Sequence, residues 1–155
     1  HGLELSLAYT PVSQLMLDFN IGYLPNAKFG EYREADLYVA DTRLPFSSEW
    51  NISGLVQYEV NLAGGRLLSQ LGFDYQSDFY FDQNENPYLQ QQGYSVWHGR
   101  IAYQPDTHWE VALWAKNLFN RQYHELKFDS IAALKAVTEL RGEARQLGVE
   151  LSYHF

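Results

Sequence analysis

The sequence contains no cysteine, which excludes a disulfide framework and a thiolate metal site. It lacks any apolar run of about 18 residues, and its mean hydropathy of −0.38 agrees with the absence of a transmembrane helix. Basic residues are scarce, with 11 lysines and arginines against 19 aspartates and glutamates. The net charge of −8 argues against nucleic acid as a partner, because nucleic-acid binding needs a basic surface.

Aromatic residues, in contrast, are abundant. The chain has 12 tyrosines, 9 phenylalanines and 4 tryptophans, an aromatic fraction of 16%. Aromatic side chains favour strands, and tyrosine and tryptophan favour membrane interfaces. Low mean hydropathy is compatible with a membrane β-barrel, because barrel strands alternate apolar and polar residues.

After Arg145, the last ten residues alternate without a break between apolar side chains and polar or small ones. One face carries Leu147, Val149, Leu151, Tyr153 and Phe155. The other face carries Gln146, Gly148, Glu150, Ser152 and His154. A period of two is typical of a strand with one apolar side, and a strand whose outer face meets lipid explains the aromatic ending.

Seven segments share this period of two. They are Gly2–Thr10, Leu15–Leu24, Glu49–Val60, Arg66–Phe81, Tyr94–Gln104, Trp109–Tyr123 and Arg145–Phe155. The apolar-face positions identified within them, such as Trp109, Val111, Leu113 and Ala115 in the sixth segment, include no charged residue, whereas the opposite faces are polar. A lysine or arginine facing lipid at mid-bilayer costs about 2–4 kcal/mol, which explains this exclusion. The sequence therefore predicts an all-β fold, an antiparallel transmembrane β-barrel segment of about seven strands.

The connections between these segments alternate in length. The short ones are Thr10–Gln14, Asn61–Arg66 and Pro105–His108, and the long ones are Gly30–Ser48, Asp82–Gly93 and Glu125–Ala144. Membrane barrels have short periplasmic turns and long external loops, so we expect a periplasmic C-terminus and external long loops. A further strand in Ala35–Thr42 would make the count even but would break this alternation.

An odd strand count predicts part of a larger barrel, because bacterial single-chain barrels have an even number of strands. The sequence opens at His1 without a signal peptide, so we expect a mature form or a piece of a longer chain. In the last long connection, Ile131, Leu134, Val137 and Leu140 recur at helical spacing. This spacing predicts a short amphipathic helix resting on the barrel rim, or else a lid or ligand contact.

Three motifs, and a fourth at the opening of the sequence, resemble one family, the TonB-dependent outer-membrane receptors. Trp109–Tyr123 is similar to the family's penultimate strand, with matches at Asn117, Leu118, Phe119, Asn120, Arg121 and Tyr123. The terminal segment is similar to the family's Arg-x-x-Gly ending on an aromatic residue, with matches at Arg145, Gly148, Tyr153 and Phe155. Thr42–Val60 resembles a loop-to-strand passage through Arg43, Leu44 and Pro45, and the opening Gly-x-Glu strand at Gly2 also fits.

The resemblance implies a role in nutrient import. Such receptors have a barrel of about 22 strands with an N-terminal plug, and they import ferric siderophores, haem, cobalamin or oligosaccharides with energy delivered through TonB. Residues 1–155 then form one partial domain, the C-terminal part of the barrel, without the plug or the TonB-contacting segment. The implied partners are outer-membrane lipid, the rest of the barrel and the plug, the TonB complex, and a small-molecule nutrient.

The terminal strand also resembles the signal read by the barrel-assembly machinery, a further implied partner. Its pattern of a polar residue, glycine and two hydrophobic residues matches Gln146, Gly148, Leu151 and Tyr153, with Phe155 at the terminus. Strand addition at an open sheet edge gives this recognition a physical basis, since backbone hydrogen bonds bind and alternate side chains set the register. The same residues also serve simply to close the barrel.

No pattern for catalysis or metal binding is present. The five histidines, at positions 1, 98, 108, 124 and 154, do not have the spacing of a metal motif. Nucleophile elbows and phosphate-binding glycine loops are also absent. The sequence therefore predicts no enzyme, no catalytic residue, no metal ligand and no cofactor, and it places any ligand contacts in the three long connections.

Two other classes stay open from the residues alone. One is a small structural or adhesive outer-membrane barrel of about eight strands, and the other is a soluble lipocalin-like binding barrel with an apolar interior. The polar faces also contain more acidic than basic residues, which predicts either pairing with basic groups on a plug or ordinary solvation. The environment of the apolar face distinguishes the membrane classes from the soluble one.

Overall fold

The computed structural model describes residues 1–30, 32–34, 37–39, 41–62, 64–105, 108–130 and 135–153. Thirteen strands and a single 3-10 turn (Pro87–Leu89) are formed by this part of the chain. The strands are β1 (Leu3–Val12), β2 (Leu15–Tyr23), β3 (Tyr32–Glu34), β4 (Leu37–Val39), β5 (Trp50–Leu62), β6 (Gly65–Gln76), β7 (Phe79–Tyr80), β8 (Gln90–Gln91), β9 (Tyr94–Gln104), β10 (Trp109–Lys116), β11 (His124–Asp129), β12 (Val137–Arg141) and β13 (Gln146–Tyr153).

Seven of these strands form one antiparallel sheet in the order β1-β2-β5-β6-β9-β10-β13. Each of the seven segments with a period of two supplies one strand, so the predicted antiparallel sheet of seven strands is confirmed. Two predicted ends were too long, because β6 stops at Gln76 and β10 stops at Lys116. Beyond those residues the backbone leaves the sheet to form loops.

The register of the sheet collects the apolar residues on one face, here called the apolar face. The pairings of neighbouring strands place one residue from each of the seven strands in a single row across the sheet. That row is Tyr9, Leu17, Val56, Leu71, Gly99, Ala115 and Leu147. Because side chains alternate along a strand, residues such as Ser53, Gln70 and Arg100 lie on the opposite, polar face.

The apolar face is not buried by the described residues. Leu147, Val149 and Leu151 have exposed fractions of 68%, 72% and 65%, and Ile101 is 53% exposed. Leu17 and Phe73 are only partly buried, so these side chains do not meet in one dry interior. The described hydrophobic cluster is instead small and lies in a loop region, where Phe79, Phe81 and Leu89 pack together.

The short connections are tight turns. Ser13 and Gln14 alone separate β1 from β2. Between β5 and β6, Gly64 has a φ of +79°, a left-handed conformation that glycine adopts without steric cost. The turn residues 106 and 107 lie outside the described residues.

Each long connection carries a small two-stranded sheet of its own. The pairs are β3 with β4, β7 with β8, and β11 with β12. Leu37–Val39, inside the segment considered for a further strand, pairs with Tyr32–Glu34 and not with the main sheet. It therefore leaves the count of seven in the main sheet unchanged.

The predicted helix on the rim is wrong for the part that the structure describes. Val137–Arg141 is strand β12, which pairs with β11 from Asp129 back to His124. The physical reason is that a partner strand about ten residues upstream satisfies the backbone hydrogen bonds of this segment. Four apolar residues at helical spacing do not reveal such a partner. Ile131 and Leu134 lie outside the described residues. Nowhere in the described ranges is there a helix with the length and hydropathy needed to cross a bilayer.

Candidate ligand-facing rim and polar face

The three long connections meet at one end of the sheet, here called the rim. Arg43 joins the first connection to the second: its Nη1 donates to Asp78 Oδ2 at 2.8 Å, and its backbone N–H donates to Glu85 Oε1 at 2.7 Å. Its guanidinium also lies 5.8 Å from the centre of the Tyr80 ring. A planar group with five donors suits such a multiple contact, so Arg43 fixes the two connections to each other.

Aromatic packing strengthens the same junction. Phe46 from the first connection contacts Phe81 edge-on, with 5.4 Å between ring centres, and Phe79 contacts Phe81 at 5.0 Å. The Phe46 backbone N–H donates to the Tyr80 carbonyl at 2.8 Å. Edge-to-face rings add about 0.5–1.5 kcal/mol per pair beyond burial, so this cluster stabilises the rim.

Asn117 organises the end of β10. Its side chain is buried, with 2% exposed, and its backbone has a φ of +47°, which asparagine tolerates better than most residues. The Nδ2 atom donates to the carbonyls of Arg121 at 2.9 Å and Glu143 at 2.8 Å. The Oδ1 atom accepts from the Arg121 N–H at 2.7 Å. One side chain thus fixes the 117–121 turn and the approach to β13.

Tyr123 closes this turn from the other side. Its ring stacks on Tyr94 with 4.7 Å between centres, and it lies so close to Gly142 that an added Cβ would come within 2.1 Å of the ring. Burial, and after it the negative charge of Glu125, raises the pKa of Tyr123 above its ordinary value. The phenol therefore stays neutral over the physiological range.

The polar face forms an open groove of about 450 Å³ beneath the rim. A chain of hydrogen bonds joins three of its lining residues through Ser48. Tyr94 Oη donates to Gln76 Oε1 at 3.1 Å, Gln76 Nε2 donates to Ser48 Oγ at 3.2 Å, and Ser48 Oγ donates to Asn51 Oδ1 at 2.9 Å. Hydroxyls and amides of this kind both donate and accept. The groove can therefore bind a polar ligand or a polar protein surface.

The acidic residues of the polar face are partly neutralised within the sheet. Arg100 contacts Glu110 at 2.6 Å and Glu150 at 3.9 Å, and Arg66 lies 3.5 Å from Glu59. Ion pairs within the sheet therefore neutralise part of the predicted acidic surface, and this part needs no basic partner on a plug. Within the described ranges, no group of three or more histidine, aspartate and glutamate side chains could hold a metal ion.

Comparison with known proteins identifies the architecture. A family model described as TonB dependent receptor-like, beta-barrel matches residues 1–118. The chain belongs to the TonB-dependent receptor family. The predicted family is thus confirmed, and with it the assignment of the seven-stranded sheet to that barrel fold.

Solved receptor structures contain the same fold. The ferric yersiniabactin uptake receptor FyuA from Yersinia pestis superposes with a TM-score of 0.85 at 19% identity, covering 99% of this chain and 23% of that chain. The siderophore receptor PiuA from Acinetobacter baumannii gives a TM-score of 0.74 at 17% identity, covering 97% of this chain and 21% of that chain. At these identities the likeness shows the fold alone.

A sequence relative extends the comparison over a short segment. The ferric-pyoverdine M114 receptor PbuA from Pseudomonas sp. (strain M114) is 53% identical over 32 residues. That segment is 21% of this chain and 4% of the receptor. The chain thus spans less than a quarter of the receptors that it superposes on.

The motifs that resembled this receptor family divide into two groups in the structure. Arg43, Asn117 and Tyr123 all lie at the rim, where each fixes a different loop contact. The residues predicted as an assembly signal instead lie along β13, which pairs only with β10 and so forms an edge of the described sheet. Gln146 and Gly148 lie on the polar face, Leu151 and Tyr153 lie on the apolar face, and Phe155 is outside the described residues.

Gly148 has a steric role that the sequence did not reveal. Trp114 on β10 is its register partner, and the indole lies directly over the glycine. A Cβ at position 148 would approach Trp114 Cζ2 to 2.3 Å. The glycine therefore makes room for the tryptophan on the polar face.

Gly148→Ala in the full-length receptor is expected to lower the unfolding free energy by about 1–3 kcal/mol, the usual cost of overpacking. Urea unfolding in liposomes measures it. The double variant Gly148→Ala with Trp114→Ala removes the clashing ring and tests the cause. If Gly148→Ala costs as much in the Trp114→Ala background as it does beside the native indole, the steric explanation is wrong.

Proposed function

We propose that this chain forms part of the wall and the external loops of an outer-membrane receptor that imports a ferric siderophore in a Gram-negative bacterium. The observation that carries the proposal is the two-faced sheet: seven strands with an uncharged, exposed apolar face and a polar groove behind it. Family membership favours a receptor over a small structural barrel, a lipocalin-like barrel or an enzyme.

Outer-membrane lipid is the proposed environment of the apolar face. Large apolar side chains such as Leu147, Val149 and Leu151 are exposed in a continuous sheet, whereas soluble monomers rarely expose apolar patches of that extent. A hydrocarbon solvent supports such a face and disfavours charge on it. The rest of a larger barrel and a plug are the partners proposed for the strand edges and the polar face.

The proposed orientation places the rim outside the cell and the C-terminus in the periplasm. Short turns lie at one end of the sheet, and connections with their own small sheets lie at the other. Long external loops and short periplasmic turns support this direction. Residues 1–155 are accordingly proposed as the C-terminal part of one barrel domain.

A ferric siderophore is the proposed cargo because the similar receptors are named for that class. FyuA takes up ferric yersiniabactin, PiuA is a siderophore receptor, and PbuA is a ferric-pyoverdine receptor. The rim and the hydrogen-bonding groove behind it offer a surface for a polar chelate. Haem, cobalamin and oligosaccharides are the competing cargoes.

Binding and uptake by the full-length receptor test this function. The purified receptor is titrated with ferric siderophores, haem, cobalamin and oligosaccharides, and radioactive iron uptake is compared between cells with and without the receptor. We expect saturable binding of a ferric siderophore and receptor-dependent iron uptake that stops in cells without TonB. Binding of only another nutrient class overturns the cargo, and undiminished uptake without TonB overturns the energy source.

Assembly is a further proposed role of the terminal segment. We propose that the barrel-assembly machinery recognises Gln146, Gly148, Leu151, Tyr153 and Phe155. The two-faced pattern of β13 supports this, because alternate side chains can set the register when a strand is added through backbone hydrogen bonds.

Deleting Phe155 from the full-length receptor is therefore expected to lower the amount of folded protein in the outer membrane. Heat-modifiable migration of outer-membrane fractions measures this amount. Refolding of the same variant from urea into liposomes, without the machinery, serves as the control. An unchanged amount in the outer membrane contradicts the recognition role, whereas an equal loss in the control assigns the residue to barrel stability instead.

A further inference from the structure

One small hydrophobic cluster at the rim is shared by all three long connections. Its buried members are Phe79, Phe81 and Leu89 of the second connection, residues 77–93, with exposed fractions of 4%, 7% and 3%. Among the described residues, only Val96 and two alanines are buried apolar side chains besides these three. The dry packing of this part of the receptor is therefore concentrated between its loops and not behind its sheet.

The first connection supplies one wall of this cluster. The ring of Phe46 contacts both Phe81 and Phe79, with 5.4 Å and 6.3 Å between ring centres. Phe46 is itself 51% exposed, so one side of its ring meets the cluster and the other side faces outward. Its backbone N–H, which donates to the Tyr80 carbonyl, holds it in place.

The third connection supplies another wall through the hairpin of β11 and β12. Leu126 on β11 and Val137 on β12 are partly buried and pack against the same cluster. The His124 backbone N–H donates to Gln91 Oε1 at 2.9 Å, and the Gln91 side chain is buried, with 5% exposed. Apolar packing and a backbone donor thus attach the hairpin to the second connection.

A shared cluster links the opening of one connection to the opening of the others. Apolar packing stabilises in proportion to the area removed from water. If the first connection lifts away with Phe46, water reaches Phe79 and Phe81, which are also the surfaces that the hairpin buries. Lifting of the hairpin hydrates the same two rings from the other side. Neither connection can open without weakening the packing of its neighbour, which is the condition for a cooperative unit.

We propose that the three long connections form one cooperative cap, which opens and closes as a unit because the cluster of Phe79, Phe81 and Leu89 couples them. A molecule that binds the closed form of any one connection then stabilises the closed form of all three. The coupling belongs to the loops themselves and does not depend on the identity of the cargo.

Hydrogen exchange of single backbone amides in the full-length receptor in liposomes tests the cap. Three N–H groups report on the three connections: Phe46, which donates to the Tyr80 carbonyl, Phe81, which donates to the Leu89 carbonyl, and His124, which donates to Gln91 Oε1. Leu126→Ala removes packing from the hairpin alone. We expect it to speed exchange at all three amides by one common factor, about fivefold to thirtyfold. Phe46→Ala, at the far side of the cluster, should likewise act on all three.

Tyr88→Ala is the matched control, because it removes a 72% exposed aromatic side chain from the second connection and leaves the cluster intact. It should leave the three exchange rates unchanged, and amides of the β5–β6 pairing should exchange at the wild-type rate in every variant. If Leu126→Ala speeds exchange at His124 while Phe46 keeps its wild-type rate, the connections open independently and the proposal is wrong. An equal effect of Tyr88→Ala would also overturn it. Neither result bears on the cargo, because no ligand is present in the measurement.

Discussion

Replacing Asn117 with alanine is expected to lower the unfolding free energy of the full-length receptor by roughly 3–5 kcal/mol. The substitution leaves the Arg121 N–H and the carbonyls of Arg121 and Glu143 without their side-chain partner. These three hydrogen bonds are partly buried, and each contributes about 0.5–1.5 kcal/mol. Alanine also has no local hydrogen bond to stabilise a φ of +47°.

Asn120 provides a matched control for this prediction. It is also an asparagine with positive φ in the same turn, but it is exposed and accepts one hydrogen bond, from the Arg145 N–H at 3.0 Å. Asn120→Ala should therefore cost only about 1–2 kcal/mol, from the same conformational part and one exposed hydrogen bond. Urea unfolding in liposomes compares the two variants. Equal losses for both would show that Asn117 contributes backbone conformation and not the buried hydrogen bonds.

Asn117→Gly separates the two contributions further. Glycine removes the same hydrogen bonds as alanine but adopts positive φ without a steric penalty. The glycine variant should therefore recover only the conformational part, about 1 kcal/mol, and remain well below the wild type. Full recovery by glycine would contradict the role assigned to the side chain.

The second large effect is expected from a charge on the apolar face. Ile101→Arg places a guanidinium in the interior of β9, on the face that we assign to lipid. Arginine on a lipid-facing strand position costs about 2–4 kcal/mol near the bilayer centre. We therefore expect a corresponding loss of unfolding free energy in liposomes and less folded receptor in the outer membrane.

Ser53→Arg is the control on the polar face. Ser53 lies in the interior of β5, and Asp74 is its register partner on β6, so an arginine there gains an opposite charge. This variant should change the unfolding free energy by less than about 0.5 kcal/mol. If Ile101→Arg also leaves the unfolding free energy unchanged, the apolar face meets water and not lipid. Ile101 is 53% exposed, so a side chain at this position reports directly on the surroundings of the sheet.

The strands of the main sheet were predictable because each carries its own register signal. A shift of one residue would move every apolar side chain of a strand to the polar face, so the pattern has only one consistent solution. Seven such patterns in chain order, with short and long connections alternating, also specify neighbours in an antiparallel sheet. The family motifs around Asn117 and β13 added the fold family.

The contacts at the rim were not predictable from spacing. Arg43 binds Asp78 across 35 residues of chain, and His124 meets Gln91 across 33. Such pairs depend on how two loops fold, which neither residue indicates alone. Asn117 gave a weak signal, since asparagine at the end of a strand often adopts positive φ, but its three hydrogen bonds needed the structure.

The incorrect helix prediction has a similar cause, because it too depended on a contact between distant residues. Val137 and Leu140 had helical spacing with their upstream neighbours, yet both lie in strand β12. Two β-branched residues, Val137 and Thr138, favoured the strand, and pairing with β11 decided the outcome. Short apolar patterns in loops are settled by tertiary partners and not by local periodicity.

Accessibility along one strand tests the central claim most directly. Single nitroxide labels are placed on β5 of the full-length receptor in liposomes. Two positions, Ile52 and Val56, lie on the apolar face, and two, Ser53 and Gln57, lie on the polar face. Each labelled receptor is then exposed to oxygen and to a water-soluble nickel complex. We predict that oxygen relaxes the labels at Ile52 and Val56 more strongly, and that nickel does so at Ser53 and Gln57. Equal access of nickel to all four labels would contradict a lipid-facing sheet.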